Sequence, residues 1–295
     1  MAHADPDGAG PSFSVLTLNV WFFSDPWWFD PPRGAVPDSA ACRMHPAPSW
    51  PRRRALILRL LEEHRPDLVA LQETGRDGRW HLAGPDQGRQ LAEAAGYRAV
   101  YHAAQWGSSP RTPHWEYGLS LLSRHPVLDA GFIRLPHNPQ RARDVRRICQ
   151  AAVVRFPWGE LALLNAHFSL DPDARLASAR AVLAYADRVA GSRPCVIAGD
   201  LNALPRGRTL AALTAGGAYR DAWRAASGGR PGPTFPSHRP SRTLDYVLAG
   251  QGLHVRGARL VGDRPDALGY YPSDHLGVLA NLSLAAGGRR WYTGE

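Results

Sequence analysis

A series of apolar runs in this chain carries, at one end, side chains that bind cations or move protons. VLTLN ends in Asn19, LVALQE in Glu73, LALLNAH in His167, and CVIAGDLN in Asp200 and Asn202. Further on, TLDYVL carries Asp245, and SDHLGVL opens with Asp274 and His275. Strand ends in layered α/β folds form a common rim, so these groups are expected to converge. Glu73, Asp200, Asp245 and Asp274 would then repel one another and rise in pKa unless a positive charge stood among them. A hard divalent cation with oxygen ligands meets that need. Mg²⁺ suits it best, with Mn²⁺ as a substitute, because Mg²⁺ binds through one or two carboxylates and keeps waters for the substrate. Two histidines beside such an ion suit general-acid work or the stabilisation of a phosphoryl transition state. The set points to metal-assisted hydrolysis of a phosphoester.

Taken singly, each residue has a plainer explanation. Asn19 and Asn202 would serve as turn residues after strands. Asp245 would be a buried acid paired with an arginine, and His167 and His275 would be core histidines. It is their joint occurrence, always at the end of an apolar run, that argues for a site. Other chemistries find no support, since the chain has no GxSxG elbow, no GxxxxGK[ST] loop and no HExxH pair. A binding protein without activity would be expected to lack at least one of these groups.

The elements that must position these residues alternate between short apolar runs and helical patterns. Strands are expected at 13–18, 67–72, 97–102, 118–123, 149–156, 161–166, 195–198, 243–248 and 276–282. Helices are expected at 52–64, with Pro51 near the start, at 87–95, ended by Gly96, and at 172–190. Strands outnumbering helices, with helices between only some of them, predicts a mixed α/β sandwich in one domain. Two stretches break the rhythm. Trp21–Trp50 is an aromatic and proline-rich insertion that would lie near Asn19, and it includes Trp27 and Trp28. Pro136–Arg147 is a loop rich in arginine.

The chain has 295 residues, 44% of them apolar and 21% charged, which is a globular rather than a disordered composition. It has no apolar run long enough to span a membrane and no signal peptide, so a cytoplasmic monomer is expected. Cys42, Cys149 and Cys195 are too few and too scattered for a disulfide framework or a zinc ribbon. The net charge of +9 comes with 35 arginines and no lysine, a bias that resembles GC-rich coding. A positive surface attracts phosphate-bearing partners without choosing among nucleic acid, a phospholipid head group and a small phosphoester.

The set TLNVW, LVALQET, LLNAHF, AGDLNALP, RTLDYV and SDH resembles the endonuclease/exonuclease/phosphatase superfamily, colinearly from about residue 13 to 284. The resemblance implies a four-layer α/β sandwich of two packed mixed sheets flanked by helices. It implies a domain at 13–284, with a flexible start at 1–12 and a tail at 285–295. It also implies roles. Glu73 is the principal Mg²⁺ ligand with Asn19 beside it, and Asp274 is a further metal-site carboxylate. Asp200 orients or deprotonates the attacking water, and Asn202 holds the scissile phosphate. His275 binds or protonates a phosphate oxygen, and Asp245 fixes its tautomer. His167 stands where abasic-site endonucleases carry Tyr, as in DNase I-like and sphingomyelinase-like members, with Glu116 as its orienting acid. Arg147 is a phosphate contact. A phosphodiester is the expected substrate, with sphingomyelinase-like or small-molecule phosphoester hydrolysis as the alternative.

Overall fold

A computed structural model describes residues 10–21, 50–77, 86–106, 115–141 and 145–285. The expected flexible start falls almost entirely outside the described residues, as do the body of the Trp21–Trp50 insertion, with Trp27 and Trp28, and the tail. Two six-stranded sheets pack face to face. The first contains β1 (Ser12–Asn19), β2 (Leu68–Asp77), β3 (Arg98–Trp106), β4 (Trp115–Ser123), β11 (Leu253–Val261) and β12 (Gly277–Leu284), in the order β11-β12-β1-β2-β4-β3. The second contains β5 (Val127–Arg134), β6 (Ile148–Phe156), β7 (Gly159–His167), β8 (Cys195–Asp200), β9 (Tyr219–Asp221) and β10 (Asp245–Gly250), in the order β5-β6-β7-β8-β10-β9. Both sheets are mixed: β1 runs parallel to β2 and β7 parallel to β8, while the neighbouring pairs are antiparallel.

Period-two alternation explains which residues face where. In β1, Phe13 and Val15 point between the sheets, and Leu16 and Leu18 point outward to the helices. In β7 and β8, Leu161, Leu163, Val196 and Ala198 fill the space between the sheets, and Leu164 and Ile197 face the other way. The outer face of the first sheet is covered by α1 (Trp50–His64) and α2 (Gln87–Ala95). That of the second is covered by α3 (Pro172–Ala190) and α4 (Arg208–Thr214). A fifth helix, α5 (Ala222–Ala226), packs near β10 and β11. The result is the four-layer sandwich that the sequence implied.

The helices form for local reasons. Asp171 caps α3 by accepting from the Asp173 and Ala174 amides at 3.0 and 2.9 Å, and Pro172 follows it at the first helical position. Asp86 caps α2, and Gly96 closes it in the left-handed conformation at φ 74°. Between β7 and β8 the fit is tight. Gly199 has φ 149°, and a Cβ there would fall 1.9 Å from the Ala166 carbonyl oxygen, so only glycine lets β8 lie beside β7 just before Asp200.

Candidate active site

The same alternation delivers the site. Asn19 ends β1 in the Phe13–Val15 phase, and His167 ends β7 in the Leu161–Leu163 phase. Asp200 ends β8 in the Val196–Ala198 phase, and Asp245 opens β10 in the phase of Val247 and Ala249. All four thus lie on faces that look between the sheets. In the ladder, Asp200 is flanked by His167 on one side and by Asp245 on the other.

The polar groups meet. Asn19 Nδ2 donates to Glu73 Oε1 at 3.2 Å and to Asp200 Oδ2 at 3.1 Å, tying the first sheet to the second. The same Asp200 oxygen lies 3.3 Å from His167 Nε2 and 3.9 Å from His275 Nε2. The Asn202 amide donates to Asp200 Oδ1 at 2.9 Å, and Asn202 Nδ2 donates to the Phe168 carbonyl at 3.1 Å. His275 Nδ1 lies 2.8 Å from Asp245 Oδ2. Glu73 stands 3.9 Å from His167 Nε2. It occupies a bulge where the β2–β4 register shifts, with φ 59°, and Asn202 has φ 47°. Left-handed backbone costs a non-glycine residue about 1 kcal/mol or more, and it is kept where surrounding structure fixes a side chain for use.

Electrostatics sort the groups. Burial pushes the Asp200 carboxyl up, but His167, His275 and the Asn202 amide outweigh it and hold the acid well below the usual carboxylate range. Burial opposes charge on His275, yet Asp245, Asp200 and Asp274 overcome it and raise the imidazole well above its ordinary value. Asp245, at 2.8 Å from Nδ1, is thus the acid that most favours the protonated ring. Asp274 is pushed up to about 6 by burial, with Glu73 adding to the rise and His275 opposing it.

Arg147, the expected phosphate contact, places its Nη1 2.8 Å from His167 Nδ1. A guanidinium only donates, so Nδ1 accepts and the ring proton lies on Nε2, toward Asp200. Glu116 is buried in β4, opposite Arg76 and Trp106 in register. Asn19 acts as a strut, since its Oδ1 accepts from the Trp21 amide at 2.9 Å while its Nδ2 bridges two acids.

The donors available to a cation are hard oxygens. Asp274, whose charge is disfavoured by its surroundings and by Glu73, is the acid that a bound cation would relieve. A second grouping, Asp200, Asp245 and His275, brings ligand-type atoms within 4.8 Å of one another.

Sequence reasoning missed a supporting layer. Gln72 Nε2 donates to Asn165 Oδ1 at 2.8 Å and to Thr17 Oγ1 at 3.0 Å. Asn165 Nδ2 donates to the Leu71 and Ser120 carbonyls at 2.9 and 3.1 Å. Ser273 Oγ donates to the Asn19 carbonyl at 2.5 Å and accepts from the His275 amide at 3.2 Å. Arg53 is buried on the core-facing stripe of α1, and its Nη1 donates to the Val20 and Trp21 carbonyls. Burial lowers its pKa to about 10, opposed by Asp274 and Glu73. The visible signal was polar residues interrupting apolar runs, as in LVALQ and LLNAH.

Comparison with solved structures agrees with this architecture. An endonuclease/exonuclease/phosphatase from Bacteroides vulgatus superposes with a TM-score of 0.70 at 20% identity, covering 93% of this chain and 100% of the other. One from Beutenbergia cavernae gives 0.65 at 24% identity, covering 93% and 72%. The human nocturnin catalytic domain with bound sulfate gives 0.68 at 19% identity, covering 93% and 94%. No curated protein matches the chain in sequence. The sequence profile described as the Endonuclease/Exonuclease/phosphatase family matches residues 16–275, and with strands, bulge and polar cluster in place, the chain belongs to that family.

Proposed function

We propose that the chain is a Mg²⁺-dependent phosphodiester hydrolase acting on nucleic acid. The carrying observation is Asp200, a carboxylate held ionised between two imidazole Nε2 atoms and the Asn19 amide. Such a group orients a water and takes its proton as the oxygen bonds to phosphorus. The charge that gathers on the phosphoryl oxygens is met by the His275 imidazolium, fixed by Asp245, and by the second N–H of the Asn202 amide. His167, accepting from Arg147 at Nδ1, directs its one Nε2–H at Asp200 and orients that base, and the leaving oxygen takes its proton from water. Glu73 and Asp274, braced by Asn19, would hold the metal, which when bound offsets phosphate charge as a Lewis acid.

The net charge of +9 and the arginines near the site favour a polyanion. The test is nicking of supercoiled plasmid by purified protein with Mg²⁺. EDTA should abolish it, and Asp200→Ala should reduce it by about a thousandfold with the fold intact. A second reading has its own observation. Leu170 and Leu204, each 55% exposed, follow His167 and Asn202 on neighbouring loops, as suits an apolar substrate group. Absence of nicking with cleavage of sphingomyelin in micelles would favour that reading. Absence of turnover on every phosphoester at any metal concentration would favour a binding protein.

A further inference from the structure

We infer that Arg242 binds a second phosphoryl group of the substrate, one group beyond the phosphoester that is cleaved. The inference rests on the phosphodiester reading above and names what that substrate must carry. Arg242 is exposed, and its guanidinium carbon lies 4.8 Å from the centre of the Phe235 ring. The same ring also meets His275, at 4.8 Å between ring centres and tilted by 51°. The cation is thus stacked one aromatic ring away from the imidazolium assigned to the scissile phosphate. A cation held over an aromatic face keeps its planar edge free to donate to phosphate oxygens.

The placement is fixed rather than incidental. The Phe235 and Arg242 backbones exchange hydrogen bonds, each amide donating to the other's carbonyl at 2.9 Å. Thr234 donates its amide to the Arg242 carbonyl at 2.7 Å, and its hydroxyl oxygen accepts from the Leu244 and Asp245 amides at 3.1 and 3.3 Å. The Leu276 amide closes the set on the Thr234 carbonyl at 2.7 Å. The loop that presents Arg242 is therefore anchored at Asp245 and at Leu276, the residue after His275.

Charge accounting separates this arginine from its neighbours. Arg141 is bridged to Asp171 and Arg208 to Asp173. Arg242 is positioned with equal care, yet among the described residues no carboxylate pairs with it. An exposed, unneutralised guanidinium over the ring that meets His275 is arranged for a ligand anion.

The experiment is a calorimetric comparison of thymidine 5′-phosphate with thymidine 3′,5′-bisphosphate, using the full chain. The wild type should bind the bisphosphate about fivefold more tightly. Arg242→Ala should bring the two affinities together, and Arg242→Lys, which keeps the charge but not the planar fork, should keep part of the preference. Phe235→Leu should also reduce it, by releasing the stack. No preference in the wild type would overturn the inference. So would a preference that survives Arg242→Ala, or an equal loss for both ligands, which would mean that Arg242 merely props Phe235 against His275. Failure of the phosphodiester reading shows separately, as absence of Mg²⁺-dependent diester cleavage, whatever the two affinities.

Discussion

Asp245 is buried against His275 and determines what His275 can do. With the carboxylate at 2.8 Å from Nδ1, the imidazole keeps its proton and its orientation. Asp245→Asn should lower kcat by about 100-fold while shifting the melting temperature by only a few degrees, measured on the same preparation by initial rates and circular dichroism. Loss of the fold in step with activity would instead make Asp245 a structural acid. The residues that would act on substrate were legible in the sequence because each interrupts an apolar run at its end. The residues that hold them were not. Gln72 and Asn165 read as blemishes in strands, and Arg53 as one arginine in the PRRRA run at the start of a helix. Their meaning depends on a facing sheet that no local pattern reveals.

Among the elements, the strands that escaped notice share a position. β5, β9 and β11 are each at the edge of a sheet. β5 has no buried residue and β11 is buried only at its two ends, and they carry charges such as Asp129, Arg134, Arg256 and Arg259. Continuous apolar runs mark strands covered on both faces, so the central strands were found and those edges were not. β2 also runs on past its expected end, because the bulge at Glu73 lets a polar segment keep pairing with β4. At the start of β7, away from the site, Glu160 receives Arg193 Nε at 2.7 Å and Arg155 Nη2 at 3.5 Å. The Arg193 hydrogen bond, with help from Arg155, lowers the Glu160 pKa against the effect of burial. A carboxyl depressed in the folded state adds stability above its unfolded pKa and loses it as pH falls through the folded value. Glu160→Gln should therefore cost about 1 kcal/mol at pH 7. The cost should shrink as pH falls below the ordinary carboxylate range, as read by denaturant titration at neutral and acid pH.

For the whole molecule, the decisive fact is how the site is divided. Asn19 and Glu73 belong to one sheet, and Asp274 and His275 lead into β12 of that same sheet. His167, Asp200 and Asp245 belong to the other. The Asn19–Asp200 and His275–Asp245 contacts each cross from sheet to sheet. Chemistry thus requires two halves of the molecule to stay in alignment to within a hydrogen bond's tolerance. Low denaturant should abolish turnover at concentrations where far-ultraviolet circular dichroism is still native, and coincident loss of both would contradict this. The polar groups form a seam, and the seam tolerates no slippage. The loops beyond it are under no such constraint, so one pair of sheets can accept new substrates by rebuilding its rim while the reaction underneath stays the same.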